Sequence, residues 1–268
     1  ILSSNLVQNG DFSEEGVQEV SNGSFTNGST DWTLGTGWSI GEDKAIADGT
    51  TNNAISQTTI SSVVGKSYKI DFTIDDYVTG NIRIYFGGVF TPFVNVNGVY
   101  SFYITATAVD ALATSASGLF NGSITNISVK EVLQDWTPVS ANIYLSNNQL
   151  VVDDTANLGS DSRAYQTIST TSGKTYKLNF NRISTTSVFW LAVGSGNPNP
   201  YIDIFREDLG TDTGLYELEF VALSSTTTIS LISGGTGISI FDDVTCIEVT
   251  SDTNLPRINY EGFSYDGS

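Results

Sequence analysis

Gly65-Lys66-Ser67-Tyr68-Lys69-Ile70-Asp71-Phe72 recurs 108 residues later as Gly173-Lys174-Thr175-Tyr176-Lys177-Leu178-Asn179-Phe180. In the first copy Tyr68, Ile70, Phe72 and Ile74 alternate with Lys69, Asp71 and Thr73; in the second, Tyr176, Leu178 and Phe180 alternate with Lys177, Asn179 and Asn181. A period of two puts the apolar set on one face of an extended chain, so each copy predicts a strand buried on one side. The flanks repeat in the same order. Asp31-Trp32-Thr33 matches Asp135-Trp136-Thr137, Gln57-Thr58 matches Gln166-Thr167, and Gly98-Val99-Tyr100 matches Gly214-Leu215-Tyr216. Lys130-Glu131-Val132 falls at Ile247-Glu248-Val249.

Four anchors in one order predict two homologous modules, 19–132 and 133–249, each near the usual domain size. A shorter echo, Val7-Gln8-Asn9-Gly10-Asp11-Phe12 against Val20-Ser21-Asn22-Gly23-Ser24-Phe25, marks residues 1–18 as a connector carrying one module-start motif. Residues 250–268 are read as a C-terminal linker to a further domain. Further alternating runs, Ile82/Ile84/Phe86, Tyr100/Phe102/Ile104 and Ile127/Val129, are separated by Gly, Asn and Ser turns. Val109–Thr114 is the one helix-like stretch; it is too short and uncapped, and reads as strand or loop. The fold class is all-β, two tandem antiparallel β-sandwiches.

Composition narrows the function. The 268 residues hold 11 Lys+Arg against 29 Asp+Glu, a net charge of −18, which opposes any surface that neutralises phosphates, so no nucleic-acid partner is expected. No apolar run is long enough to span a bilayer, so no membrane insertion is expected. Ser, Thr, Asn and Gly make up 112 residues, giving a surface of hydroxyls and amides suited to an extracellular or virion setting. With no His and one Cys, the common general base, the common metal ligand and any internal disulfide are missing. Cys246 aligns with Val129 on the inward face and reads as a buried, inert thiol. Neighbouring carboxylates such as Asp75-Asp76 point to opposite faces of a strand and cannot serve as the facing acids of a glycosidase. The chain begins at Ile1 and has no Met, so it reads as a processed product or part of a longer polypeptide.

Aromatic rings beside hydrogen-bonding groups are how a protein holds a sugar in water. Trp32 and Trp136 occupy matching places and are assigned to the cores. Trp190 and Tyr201 have no counterparts in the first module and flank Gly194-Ser195-Gly196-Asn197-Pro198-Asn199-Pro200, a stretch with loop chemistry. They are the candidate carbohydrate contacts, with Asn197 and Asn199 bonding hydroxyls. Tyr77 and Tyr85 are candidates in the first module. Arg83 stands at the strand position of Trp190, so the fold does not require an aromatic there.

An Asn-Gly-x-Phe opening, an early Trp, a Gly-Lys-x-Tyr-x-apolar-x-Phe central strand and a last strand such as Asn126-Ile127-Ser128-Val129-Lys130-Glu131-Val132 follow one another in each module. This order resembles the jelly-roll carbohydrate-binding modules that accompany glycoside hydrolases, more closely the tandem versions in bacteriophage tail and virion surface proteins, over residues 19–249. The resemblance implies a non-catalytic virion surface protein whose partners are a host cell-surface glycan and other virion subunits. It attaches to the host or spaces a receptor-binding part; the alternatives are a secreted bacterial adhesin or the binding appendage of a polysaccharide-degrading enzyme. Display on a fibre or tail, with edge strands that a neighbour can cover, implies a homo-oligomer. No cofactor is required. Asp242 and Asp243 resemble the acids near the last strand of modules that hold a structural Ca²⁺, which prefers clustered oxygens; Thr125-Asn126 stand there in the first module. Asn254–Gly262 is similar to segments leading into a further lectin-like domain in phage tail proteins.

Overall fold

A computed structural model describes residues 4–139, 143–155, 162–195, 205–233 and 235–250, with the backbone alone at 205–208, 258–259 and 262–263. No helix occurs among them, and all paired strands are antiparallel. The chain forms two β-sandwiches, as its alternation predicts.

The first sandwich contains β1 (Glu15–Gln18), β2 (Thr33–Leu34), β3 (Trp38–Gly41), β4 (Lys44–Asp48), β5 (Ile55–Gln57), β6 (Ser67–Phe86), β7 (Val89–Phe90), β8 (Gly98–Thr105) and β9 (Leu112–Val132). Strands β6 and β9 run for 20 and 21 residues, several times the usual length, because each serves both layers. The first half of β6 pairs with β8 and with the second half of β9; past a register break between Asp75 and Thr79 it pairs with the first half of β9 and then with β7. The layers are therefore β3-β4-β9-β6-β8 and β2-β5-β9-β6-β7. At the crossover Gly80 has φ 80° and lies so close to the Phe120 backbone that a Cβ would overlap it.

The second sandwich repeats this plan in β10 (Thr137–Pro138), β11 (Ile143–Ser146), β12 (Gln149–Asp153), β13 (Arg163–Ser169), β14 (Thr175–Thr185), β15 (Phe189–Gly194), β16 (Phe205–Asp208), β17 (Gly214–Val221), β18 (Thr226–Ser233) and β19 (Ile238–Glu248). Its layers are β11-β12-β19-β14-β17 and β10-β13-β18-β15-β16. The order matches that of the first sandwich, with the long strands cut in two at the crossover. A separate hairpin, β20 (Ile258–Asn259) and β21 (Gly262–Phe263), follows.

Side chains alternate as the sequence requires. Tyr68, Ile70, Phe72, Ile82, Ile84 and Phe86 fill one core with Trp32; Tyr176, Leu178, Phe180, Leu191 and Val193 fill the other with Trp136 and Cys246. Burial pushes the Cys246 thiol up to about 12. One core position is polar: Arg182, at the register of Ile74, is 0% exposed. Its guanidinium donates to the carbonyls of Gly210, Asp212 and Ser187 and to Thr185 Oγ1, at 2.7–3.0 Å. It ties the β14–β15 and β16–β17 turns together from inside.

Residues 5–12, the segment read as a connector, pack into the second core. Val7 and Phe12 are 4% and 1% exposed within that cluster. Leu6 N donates to the Cys246 carbonyl, Val244 N to that of Gly10 (both 2.8 Å), and Cys246 N to Asn5 Oδ1. Val20–Phe25 does the same in the first sandwich, where Ile127 N donates to Gly23 O and Trp32 Nε1 to Asn22 O, both at 3.0 Å. Glycine is required in both motifs, since a Cβ at Gly10 or Gly23 would overlap the carbonyl oxygen of Val244 or Ile127. The chain therefore starts the second sandwich, builds the first, and returns to finish the second.

Candidate functional site

On β6 the inward set Ile82, Ile84 and Phe86 leaves Arg83 and Tyr85 on the outer face of their layer. Gly87-Gly88, at φ 63° and 77°, reverses the chain into β7 and sets Phe90 opposite Tyr85. The two rings lie 4.7 Å apart. Thr91 then bonds across to Ile84 through both its N–H and its Oγ1, and Val94 bridges to Ile82. Phe93 is thereby brought to Arg83 as well. The guanidinium carbon is 3.7 Å from the Phe90 centroid and 4.1 Å from that of Phe93, a cation clamped between two rings. Both rings remain exposed, at 45% and 43%.

The far end of this shelf is polar. Tyr85 Oη donates to Asp110 Oδ2 at 2.6 Å. That bond, followed by partial desolvation, raises the phenol pKa and keeps it protonated. The Asp110 backbone is fixed by its N–H donating to Ser62 Oγ at 3.0 Å. The face thus presents flat apolar rings, one cation and one carboxylate within a few residues of each other. Such a surface can stack a ring and bond its hydroxyls.

Tyr85 belongs to this cluster and Tyr77 does not. Tyr77 sits at the crossover, where its ring packs 6.4 Å from Phe120 and its hydroxyl donates to Gly80 O at 3.2 Å. Trp190 is half-buried on the outer face of β15, with Ile232 and Asp208 as strand partners. It holds in the second sandwich the place that Arg83 holds in the first. Tyr201, Asn197 and Asn199 lie outside the described residues.

Asp242 and Asp243 occupy a bulge in β19, where the register with β14 shifts between Asn179 and Asn181. Asp243 has φ 54°, as Asn126 has φ 52° in the first sandwich, so the shared requirement is a residue tolerating left-handed backbone. Asp242 accepts from Asp243 N at 2.9 Å and from Gln149 Nε2 at 3.3 Å, while burial raises its pKa. Among the described residues no group of three or more His, Cys, Asp or Glu stands close enough to hold a metal, and the pair alone does not make a calcium cage.

The shelf was only partly legible in the sequence: Phe90, Phe93 and Asp110 were not singled out. The Gly87-Gly88 pair just after an alternating run is the signal that a hairpin folds Phe90 back onto Tyr85.

No family model matches the chain, and no curated protein matches it. Among solved structures, one described as "CBM4 structure and function" is 16% identical over 42% of this chain and 86% of its own, with a TM-score of 0.33. The tandem CBM22 domain of Xyn10C from Paenibacillus barcinonensis is 10% identical over 89% and 99%, with a TM-score of 0.31. The extracellular domain of ANXUR1 from Arabidopsis thaliana is 8% identical over 78% and 83%, with a TM-score of 0.27. At these levels the likeness identifies neither a family nor a ligand.

Proposed function

We propose that this chain is a non-catalytic glycan-binding protein that works outside the cell, with the outer face of the first sandwich as its platform. The observation that carries this reading is Arg83 held between the exposed Phe90 and Phe93 rings beside the Tyr85–Asp110 pair. Clamping a guanidinium removes its rotamer freedom before a ligand arrives, and the two rings offer stacking area at low ordering cost. Trp190, at the matching place, is the platform of the second sandwich. The absence of His and a buried thiol raised to about 12 leave few groups able to drive hydrolysis, which supports a binding role. Display on a virion surface as a homo-oligomer, attached to host glycan, is the form that the resemblance of the repeats favours.

A printed array of bacterial and plant polysaccharides tests the reading. The intact chain should bind at least one of them, and Phe90→Ala/Phe93→Ala, folded as judged by its melting curve, should lose that binding. Binding that survives in the folded double variant, or steady release of reducing ends by the intact chain, overturns it.

A further inference from the structure

The sandwiches meet along a groove of about 330 Å³, within the size range of small-molecule sites. Lys69, Ser101 and Tyr103 form one wall on the outer face of β6 and β8; Tyr144, Ser146 and Asn147, from β11 and its turn, form the other. The walls are joined where Tyr103 Oη donates to Asn148 Oδ1 at 2.6 Å.

Comparison of the two repeats isolates what is special here. Asn147-Asn148 and Glu42-Asp43 are the same two-residue turn, with φ of 53° and 56° in one and 53° and 57° in the other. The copy at the seam carries neutral amides where its counterpart carries two carboxylates. By strand register Tyr144 corresponds to Ser39, and Tyr103 to Glu219. The fold requires a tyrosine at neither position, yet both are tyrosine where the repeats face each other. The Lys69 charge is already met by Glu15 at 2.5 Å and Asp71 at 3.9 Å. The groove is therefore close to neutral and walled by phenol rings.

Its polar groups are uncommitted. The side chains of Ser101, Tyr144, Ser146 and Asn147 form no hydrogen bond with any described residue. The walls are also held at a fixed separation, because the chain crosses between the sandwiches twice, before β1 and after β9. A preformed, neutral, ring-walled groove with unpaired hydroxyls and an amide has the chemistry of a sugar site.

We infer that this groove takes one neutral pyranose unit, held between Tyr103 and Tyr144 with its hydroxyls bonded by Ser101, Ser146 and Asn147. The inference rests on the glycan-binding reading above but concerns a different face, so the two fail separately. Cellobiose, lactose, maltose and N,N′-diacetylchitobiose are titrated into the intact chain at millimolar concentration and followed by calorimetry and by saturation-transfer NMR. At least one should bind. Tyr144→Ser, which installs the residue found at the counterpart position, should weaken it by about tenfold with an unchanged melting curve. Asn147→Ala is the second probe should Tyr144→Ser fail to fold, and should weaken the same sugar. Phe90→Ala should leave the groove-bound sugar unaffected. Binding lost in Phe90→Ala but unchanged in Tyr144→Ser and Asn147→Ala overturns the groove and leaves the outer face standing. Binding by none of the four sugars overturns the groove as well.

Discussion

Gln166 clasps Gln8 across 158 residues of chain: its Oε1 accepts from Gln8 N at 2.8 Å and its Nε2 donates to Gln8 O at 2.9 Å. Gln57 makes the same two bonds to Ser21, only 36 residues away, at 2.9 and 2.7 Å. One acceptor niche, built twice, is filled once by a near neighbour and once from the far side of the other sandwich.

Each opening motif should therefore stabilise a different sandwich. Phe12→Ala should cost the second sandwich about 3–4 kcal/mol, and Phe25→Ala the first by a similar amount. Both Phe side chains are 1% exposed and pack on Trp136 and Trp32 at 5.5 and 5.1 Å. Urea unfolding followed by hydrogen exchange checks it: Phe12→Ala should weaken protection in β14 and β19 and spare β6. Equal loss in both sandwiches would contradict it.

Arg182→Ala should be among the costliest single changes. It opens a cavity and leaves three carbonyls short of a donor, so a loss of about 3–5 kcal/mol is expected. Ile74→Ala, at the matching position of the first sandwich, removes only apolar contacts and should cost about 2–4 kcal/mol. Chemical denaturation of both variants separates the cases.

Acid should weaken the first sandwich through Glu15. Lys130 Nζ at 2.7 Å and Lys69 Nζ at 2.5 Å hold its carboxylate below the ordinary glutamate value of 4.5. A depressed folded-state pKa contributes stability that is fully present above the unfolded value and is lost as pH falls through the folded one. The pairs are partly exposed, so the total is under about 2 kcal/mol. Glu15→Gln should lower the melting temperature at neutral pH and make no difference well below pH 4.5, which thermal melts across that range will show.

Trp190→Ala should reduce glycan or host-surface binding while leaving most of the stability. Its ring lies on the outer face of β15, and the matching place holds Arg83 without disturbing the sheet. A loss of several kcal/mol with binding unchanged, the size expected for a buried Trp, would make it a core residue instead.

Periodicity and repetition made the cores legible, because alternation decides which side of a strand is buried and the Tyr68/Tyr176 stretches carry no competing pattern. The long-range part was not legible. Val7–Phe12 is visible as an echo, but no local signal says whether it serves the next module or the one beyond, since that depends on a niche assembled from Trp136, Gln166 and β19. The outer-face shelf escaped for a related reason: Phe90 and Phe93 look like ordinary β residues until the Gly87-Gly88 reversal sets them around Arg83. The Asp242-Asp243 pair shows the opposite case, where a chemically suggestive dipeptide meets a backbone requirement that Asn126 meets equally well.

The antiparallel contact of Leu6 with Cys246 and Gly10 with Val244 also sets how tension would travel. Pulling residue 4 away from residue 249 loads these bonds first and one after another, as in unzipping, because both ends of the clasp leave on the same side. The first sandwich, enclosed between the two crossings, carries no load until the 5–12 segment has peeled away. The clasp is then a mechanical fuse. Because Leu6 and Cys246 are adjacent, a polypeptide running through both would gain breadth from this pair of sandwiches and almost no length.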